Sequence, residues 1–117
     1  MRIAIKGRNT PVSDELREHV SRRFRKIARQ VSPLAELEIE LREERNPAIA
    51  DSQVADVTLR LKRITLRARD ASPDMTHSIN LCADELARQV KRHREKRRGR
   101  RKARSAAVAG GDVSQAA

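Results

Sequence analysis

The chain has 117 residues, which is enough for one domain and a tail. Its formal net charge of +11 is concentrated, because residues 1–87 hold 16 Lys and Arg against 14 Asp and Glu, whereas residues 88–104 hold 11 against one. A single cysteine excludes an internal disulfide, and the presence of only one aromatic residue, Phe24, excludes base stacking on aromatic rings as a recognition device.

The sequence carries no signature of export or of membrane insertion. Its N-terminus has no long apolar run of the kind found in signal peptides, and no stretch approaches the ~20 apolar residues of a membrane span. The lone cysteine fits a reducing compartment. We therefore expect a cytoplasmic protein without a membrane partner.

The first half of the chain predicts a strand, a helix and a second strand. Alternation of apolar and polar residues indicates a short strand at residues 2–6, which residues 7–9 interrupt. Ser13 is a favourable N-cap for a helix that Ser32 and Pro33 end. The apolar stripe of this helix consists of Leu16, Val20, Phe24, Ile27 and Val31. The apolar residues of the strand that follows are Leu37, Ile39 and Leu41.

The second half predicts a hairpin followed by a second helix. Residues 55–61 and 64–69 alternate between apolar and polar side chains, and only Lys62 and Arg63 separate them, as in a two-residue hairpin. Residues 70–74 predict a turn. The apolar stripe of the second helix consists of Met75, Ile79, Cys82 or Ala83, Leu86 and Val90.

After Val90 the second helix has no further large apolar residue. We expect it to continue to about residue 96 as a polar extension that faces solvent or a partner, and to end at Gly99. The predicted domain therefore spans residues 1–96. Residues 97–117 are basic and then small and polar, and we expect them to form a flexible tail.

The order of the predicted elements is β-α-β-β-β-α. Two helices with apolar stripes and four strands with one apolar face can bury each other as two layers. We therefore predict an α+β fold, a two-layer sandwich in which two helices pack on one face of a four-stranded sheet.

The sequence contains no residue set that predicts catalysis or metal binding. A catalytic site needs a nucleophile or a metal with oriented partners, and no phosphate-binding or dinucleotide-binding loop is present. His77 and Cys82 lie on poorly matched faces of one helix, so we expect no zinc site there, and we expect Cys82 to be a small core residue. His19 is expected to be solvated, and His93 to lie at a helix end. We predict a protein that is not an enzyme and that uses no metal, cofactor or small-molecule substrate.

The basic residues of the two predicted helices are more informative as one set than as two. Each set alone is typical of a solvated helix face or of a nonspecific basic tail. Two helices packed side by side would direct both basic faces the same way, whereas the acidic residues of the second strand would point away. The density of positive charge alone would suit nucleic acid first and an anionic membrane surface second. The bipolar arrangement suits a ligand that lies in a groove of nucleic acid.

Several segments resemble the family of bacterial ribosome hibernation-promoting factors, also called ribosome-associated inhibitors. The opening IKGRNTPVSDELREHV resembles the start of these proteins, and VADVTLRL and DELARQVKRHREK carry the resemblance through the second half, so that it covers about residues 1–96. Four positions depart from the family pattern and bear on how the second helix is seated. Thr76 stands for a tyrosine, His77 and Ser78 for alanines, and Asn80 for an aspartate.

The resemblance implies a function as well as a fold. Members of this family bind the small (30S) ribosomal subunit in the channel for mRNA and tRNA, contact 16S rRNA through basic side chains of the helices, block translation, and protect idle ribosomes under stress or in stationary phase. On matching positions, the resemblance implies rRNA contacts by Arg23, Lys26, Arg88, Arg92, Arg94 and Lys96. The helical periodicity adds Arg22 and Lys91 to this set.

Two other functions stay open at the level of the sequence. A general double-stranded RNA-binding protein would also be basic, although such a domain begins with a helix whereas this chain begins with a strand. A protein-interaction module that modulates a sigma factor of RNA polymerase is the third reading, because the family has also been described in that role. Long members of the family carry a second domain that dimerises ribosomes, so this chain resembles a short form or an amino-terminal half.

Overall fold

The computed structural model describes residues 1–116, with side chains described through residue 101 and at residue 103. The elements in chain order are β1 (Arg2–Arg8), α1 (Asp14–Arg23), α2 (Arg25–Ala28), β2 (Glu36–Glu43), β3 (Gln53–Arg60), β4 (Thr65–Ser72) and α3 (Met75–Ala116).

The four strands form one mixed sheet in the order β1-β2-β3-β4. β1 and β2 are parallel, whereas β2, β3 and β4 pair in antiparallel fashion. Parallel neighbours need a crossover connection, and α1 with α2 provides it. The predicted α+β fold, with a four-stranded sheet and helices packed on one face, is confirmed.

The core lies between the helices and one face of the sheet. The register brings Leu37 opposite Leu59 and Ile39 opposite Val57, so that alternate positions of β2 and β3 form one apolar surface. Both helical stripes pack against this surface. The helix residues buried in it are Val20, Phe24, Ile27, Met75, Ile79, Cys82, Ala83, Leu86 and Val90.

The predicted first helix is divided and shorter than expected. Phe24 interrupts it with φ −96° and ψ 3°, and α2 ends at Ala28 rather than at Ser32. The hydrogen bond from the Gln30 N–H to the Ile27 carbonyl, 2.9 Å, closes a tighter turn at that end. Phe24 is still fully buried, so the apolar stripe is continuous across the break.

Two strand ends also differ from the prediction. β1 runs through residues 7 and 8, and the chain turns at Asn9, whose φ of 56° lies in the left-handed region. The turn brings the Thr10 carbonyl so close to Gly7 that a Cβ there would lie 2.4 Å from the oxygen. β4 extends to Ser72, so of the turn predicted for residues 70–74 only residues 73 and 74 lie outside the strand. In both cases backbone pairing with the neighbouring strand outweighs local turn propensity.

The two-residue connection between β3 and β4 is confirmed. The Leu61 N–H donates to the Ile64 carbonyl at 2.9 Å, which leaves Lys62 and Arg63 as the turn. The connection places a lysine and an arginine at one end of the sheet.

α3 continues beyond Gly99, so the predicted helix end there is wrong. An internal glycine costs a helix about 1 kcal/mol relative to alanine but does not break it, and its neighbours are mostly Arg and Lys, which favour helix. Val90 is the last buried residue of α3 among the described side chains, and we call the segment of α3 after it the overhang. The flexibility predicted for residues 97–117 concerns, in part, Ala117 and several side chains that lie outside the described residues. It stays a prediction.

Candidate nucleic-acid interface

The helices α1 and α3 lie side by side and run parallel. His19 Nε2 lies 2.7 Å from Asn80 Oδ1, and one turn further Arg23 Nη2 donates to Asp84 Oδ1 at 2.6 Å. In both pairs the two partners are 61 residues apart in the sequence, so a step of four residues along α1 matches a step of four residues in the same direction along α3. We call this line of contact the seam. His19 is half-buried in it, so the expectation of a solvated histidine is wrong.

A groove of about 590 Å³ lies over the seam, and we call it the seam groove. Its lining residues are His19, Arg22, Arg23, Lys26, Ile27, Ala83, Asp84 and Ala87. The small alanines on α3 let basic side chains from α1 and α2 converge on one concave surface. Among the described side chains, Arg23 pairs with Asp84, while Arg22 and Lys26 have no carboxylate within salt-bridge distance. The seam groove therefore keeps uncompensated positive charge.

The predicted contact residues on α3 fall on two sides of the helix. Asp84 and Ala87 mark the side that faces α1, and Gln89 marks the side that faces β4, because its amide donates to the Arg67 carbonyl at 2.7 Å. At about 100° per residue, Lys91 lies on the α1 side. By the same rotation, Arg94 lies near Lys91, whereas Arg92 and Lys96 turn toward the β4 side. Arg88 lies on the exposed outer face of α3, about 40° from Asp84. The structure thus brings Arg22, Arg23 and Lys26 together in the seam groove. Lys91 and Arg94 lie further along the same side of α3, Arg88 lies on its outer face, and Arg92 and Lys96 turn away from the seam.

Arg88 is already engaged with an acidic residue of α3 itself. Its Nη2 donates to Glu85 Oε2 at 2.6 Å, one turn before it. This hydrogen bond from Arg88, together with one from Gln89, lowers the pKa of the Glu85 carboxyl, so the carboxylate stays ionised beside the arginine. Part of the Arg88 charge is therefore compensated within the helix.

A second groove, of about 570 Å³, lies at the end of the seam, beneath the start of the overhang, and we call it the hairpin groove. Its lining residues are Gln30, Val31, Ser32, Leu34, Ala35, Glu36, Arg60, Leu61, Lys62, Val90, His93, Arg94 and Arg97. His93 is half-buried here, well before the end of α3, so its predicted position at a helix end is wrong. The hairpin groove combines apolar and basic side chains.

The outer face of the sheet has mixed charge. Glu38 of β2 points to this face as predicted, and Arg60 of β3 donates to its Oε2 at 2.8 Å, which lowers the pKa of the Glu38 carboxyl. Glu40 lies 3.5 Å from Arg8 and 3.9 Å from Arg42. The acidic residues point away from the helices, as predicted, and arginines of neighbouring strands lie among them.

Cys82 is a core residue, as predicted. It is fully buried, and its Sγ lies 3.3 Å from the Ala55 carbonyl oxygen. Burial raises the pKa of the thiol to about 12, so the residue stays protonated and is a poor nucleophile. Within the described residues, no group of three His, Cys, Asp or Glu side chains is placed to hold a metal ion. None of the helices that the structure describes has a segment both long and apolar enough to cross a membrane.

Several residues of the two grooves were not expected from the sequence. Asp84 and Leu34 each line a groove, and neither was singled out from the sequence, whereas Asn80 was noted only as a departure from the family pattern. The i,i+4 spacing of Asn80 and Asp84 matches that of His19 and Arg23, which is a signal that two helix faces could pair. The register between the helices depends on the crossover, and the sequence pattern does not contain it.

Comparisons with known proteins identify relatives of this chain. Residues 3–98 match the family described as Sigma 54 modulation protein / S30EA ribosomal protein. The chain is 28% identical over 102 residues to the ribosome hibernation promotion factor of Picosynechococcus sp., an alignment that covers 86% of this chain and 53% of that protein. It is 28% identical over 96 residues to the ribosome hibernation promoting factor of Salmonella typhimurium, covering 82% of this chain and 96% of that protein.

A solved structure shares the fold. The N-terminal domain of Thermus thermophilus Protein Y superimposes with a TM-score of 0.68 and 23% identity, covering 80% of this chain and 99% of that chain. This chain spans about half the length of the Picosynechococcus relative and nearly all of the Salmonella relative. Since the match over residues 3–98 takes in most of the chain, the chain belongs to the family of ribosome hibernation-promoting factors, described as Sigma 54 modulation protein / S30EA ribosomal protein.

Proposed function

We propose that this protein is a ribosome hibernation factor of the cytoplasm. It binds 16S rRNA in the mRNA and tRNA channel of the small ribosomal subunit, blocks translation by occupancy, and protects idle ribosomes under stress or in stationary phase. The observation that carries the proposal is the convergence of Arg22, Lys26, Lys91 and Arg94 along the seam. Family membership supports the same reading.

The charge distribution favours RNA over other anionic partners. Contacts from Arg and Lys to phosphates supply most of the sequence-independent affinity for nucleic acid. The molecule is elongated, 69 × 29 × 18 Å, with the basic overhang at one end. An elongated body with one cationic edge suits a channel lined with phosphates more than it suits a flat surface.

Occupancy of a channel requires no chemical step. A protein that fills the path of mRNA and tRNA inhibits translation by exclusion, and its inhibition is lost when it dissociates. The fully buried and protonated Cys82 agrees with this reading, because it supplies no accessible nucleophile.

Binding to the subunit is tested by co-sedimentation with purified small subunits over a series of salt concentrations. We expect Lys26→Glu, in the seam groove, to reduce binding about tenfold or more and to reduce its salt dependence. Arg69→Glu is the matched control, because it makes the same charge change at an exposed site on β4, opposite the helices. Equal losses from both substitutions, or no sedimentation of the unmodified protein at moderate salt, would contradict the proposal.

The position in the channel is tested by competition. Small subunits preloaded with the protein are expected to bind less mRNA and tRNA, and Lys26→Glu is expected to restore that binding. A 16S rRNA footprint outside the channel, with unchanged tRNA binding, would place the protein elsewhere on the subunit.

A second candidate function follows from the family description, which also names sigma 54 modulation. A pull-down from nuclease-treated extract that recovers RNA polymerase without ribosomes would favour this function. Recovery of ribosomal subunits alone would favour hibernation. If bulk duplex RNA displaced the protein from subunits at equal phosphate concentration, it would be a general RNA binder instead.

A further inference from the structure

We propose that the hairpin groove binds one unpaired nucleotide of a single-stranded RNA, with the base against aliphatic side chains and the phosphate against basic ones. This inference rests on the proposed RNA binding and adds to it a defined subsite with its own ligand chemistry. Leu34, Val31 and Leu61 form the base contact. Lys62, Arg94 and Arg97 form the phosphate contact.

The apolar side of the groove is open to solvent. Leu34 lines the hairpin groove and is 90% exposed, which is more than any other large hydrophobic side chain that the structure describes. Val31 and Leu61 are half-buried beside it, and Val90 of α3 is buried beneath them. Exposed aliphatic surface in a concave site marks a binding surface more often than isolated exposed residues do.

The basic side of the groove comes from two separate elements. Lys62 projects from the turn between β3 and β4, and Arg94 and Arg97 lie on consecutive turns of α3. Glu36 is the one acidic residue in the lining, and Arg60 is engaged with Glu38 at 2.8 Å. The basic side therefore favours an anionic ligand, and the apolar side favours one that also has an apolar part.

The groove is continuous with the proposed RNA surface. Ile27 and Ala87 end the seam groove. The hairpin groove begins at Gln30, in the turn that follows α2, and at Val90, about one turn further along α3. From Asp84 to Arg97, α3 advances about 20 Å, which is room for several successive phosphates of one strand. A strand that follows the seam thus reaches the hairpin groove without leaving the basic edge.

A nucleotide fits the groove better than an acidic peptide does. An unpaired base is flat and uncharged and packs between apolar side chains, while its phosphate carries the charge. A peptide would normally pair its backbone with a free strand edge, but the strands that reach this groove, β2 and β3, are paired on both sides. Without aromatic residues here, aliphatic side chains supply the base contact.

The test compares two ligands that differ only in their bases. A single-stranded oligouridylate about six nucleotides long is set against an abasic oligoribonucleotide of equal length and charge. We expect the full-length protein to bind the intact ligand roughly tenfold more tightly, measured by fluorescence anisotropy. Leu34→Ala should remove most of this difference while leaving the abasic affinity unchanged. Lys62→Glu should weaken both.

The control for Leu34 is Ile49→Ala, which shortens an exposed aliphatic residue outside both grooves. It should leave the preference for bases intact, and duplex RNA of the same length should show no dependence on Leu34 because its bases are stacked. If Leu34→Ala keeps the full preference for the intact ligand, the proposal is wrong.

Other outcomes separate this proposal from the one on which it rests. Normal sedimentation with small subunits, combined with no preference for bases, would refute the nucleotide subsite and leave the hibernation role standing. Loss of sedimentation would refute the role itself. If an acidic, leucine-containing peptide bound in a Leu34-dependent way while the two RNA ligands bound alike, the groove would be a peptide site and the proposal would fall.

Discussion

At the scale of single residues, two buried serines determine where α3 begins. Ser78 is fully buried, and its hydroxyl donates to the Gln53 carbonyl at 2.6 Å, while its oxygen lies 2.7 Å from Ser72 Oγ. These contacts join the first turn of α3 to the ends of β3 and β4. Ser78 stands where the resemblance led us to expect alanine, so a polar tie replaces a purely apolar contact at the start of the helix that carries the overhang.

Substitution of Ser78 by alanine tests this tie. The change leaves the partly buried Gln53 carbonyl without the hydroxyl as a donor, so we expect the free energy of unfolding to fall by about 1–3 kcal/mol. Urea denaturation followed by circular dichroism measures it. Ser21→Ala, at an exposed position of α1, is the control and should change stability by less than about 0.5 kcal/mol. Equal effects of the two substitutions would show that the tie contributes nothing.

At the scale of elements, the sequence pattern predicted what depends on side-chain alternation. Leu37, Ile39 and Leu41 are all buried as expected, because a strand with one buried face shows a period of two whatever its neighbours are. The stripe from Met75 to Val90 was predicted from the helical spacing of three and four residues, which is likewise independent of the neighbouring elements. Strand ends were predicted less well, because pairing with a neighbouring strand carried β1 and β4 through residues that favour turns.

The sequence pattern predicted neither the break in the first helix nor the difference between the two sides of α3. Phe24 and Ile27 keep helical spacing across the break, and the Ala28 N–H still donates to the Phe24 carbonyl at 3.0 Å, so the hydrophobic period contains no trace of it. For α3, every exposed basic position has the same sequence signature. Only the tertiary contacts of Asp84 and Gln89 distinguish the seam side from the β4 side.

The continuity of α3 through Gly99 gives a prediction at this scale. A Cβ at Gly99 would meet nothing within 4 Å, so alanine fits and should favour the helix by about 1 kcal/mol. Gly99→Ala should therefore increase helical ellipticity at 222 nm and slow amide exchange around residue 99. Gly99→Pro should do the reverse, while both leave the urea midpoint of the domain unchanged. If the two variants gave identical spectra, α3 would already end before Gly99 in solution.

At the scale of the whole molecule, the positive charge has two sources. The seam carries basic residues held by the packed domain, whereas residues 97–104 carry six Lys and Arg against no acidic residue. The first set has a fixed geometry that can select a site. The second set lies on the overhang, and we expect it to add attraction that does not depend on sequence.

Deletion of residues 97–117 separates these two contributions. We expect weaker binding to small subunits and a lower salt slope, by about 0.7–0.9 for each phosphate that the shortened protein no longer neutralises, with an unchanged 16S rRNA footprint because the seam residues are retained. Deletion of residues 105–117 alone is the matched control, since that segment contains no Lys or Arg, and it should leave both the affinity and the slope unchanged. If the longer deletion abolished binding at every salt concentration, the basic tail would be the main binding element and the folded domain its carrier. A lower slope with the same footprint would assign affinity to the tail and site selection to the seam.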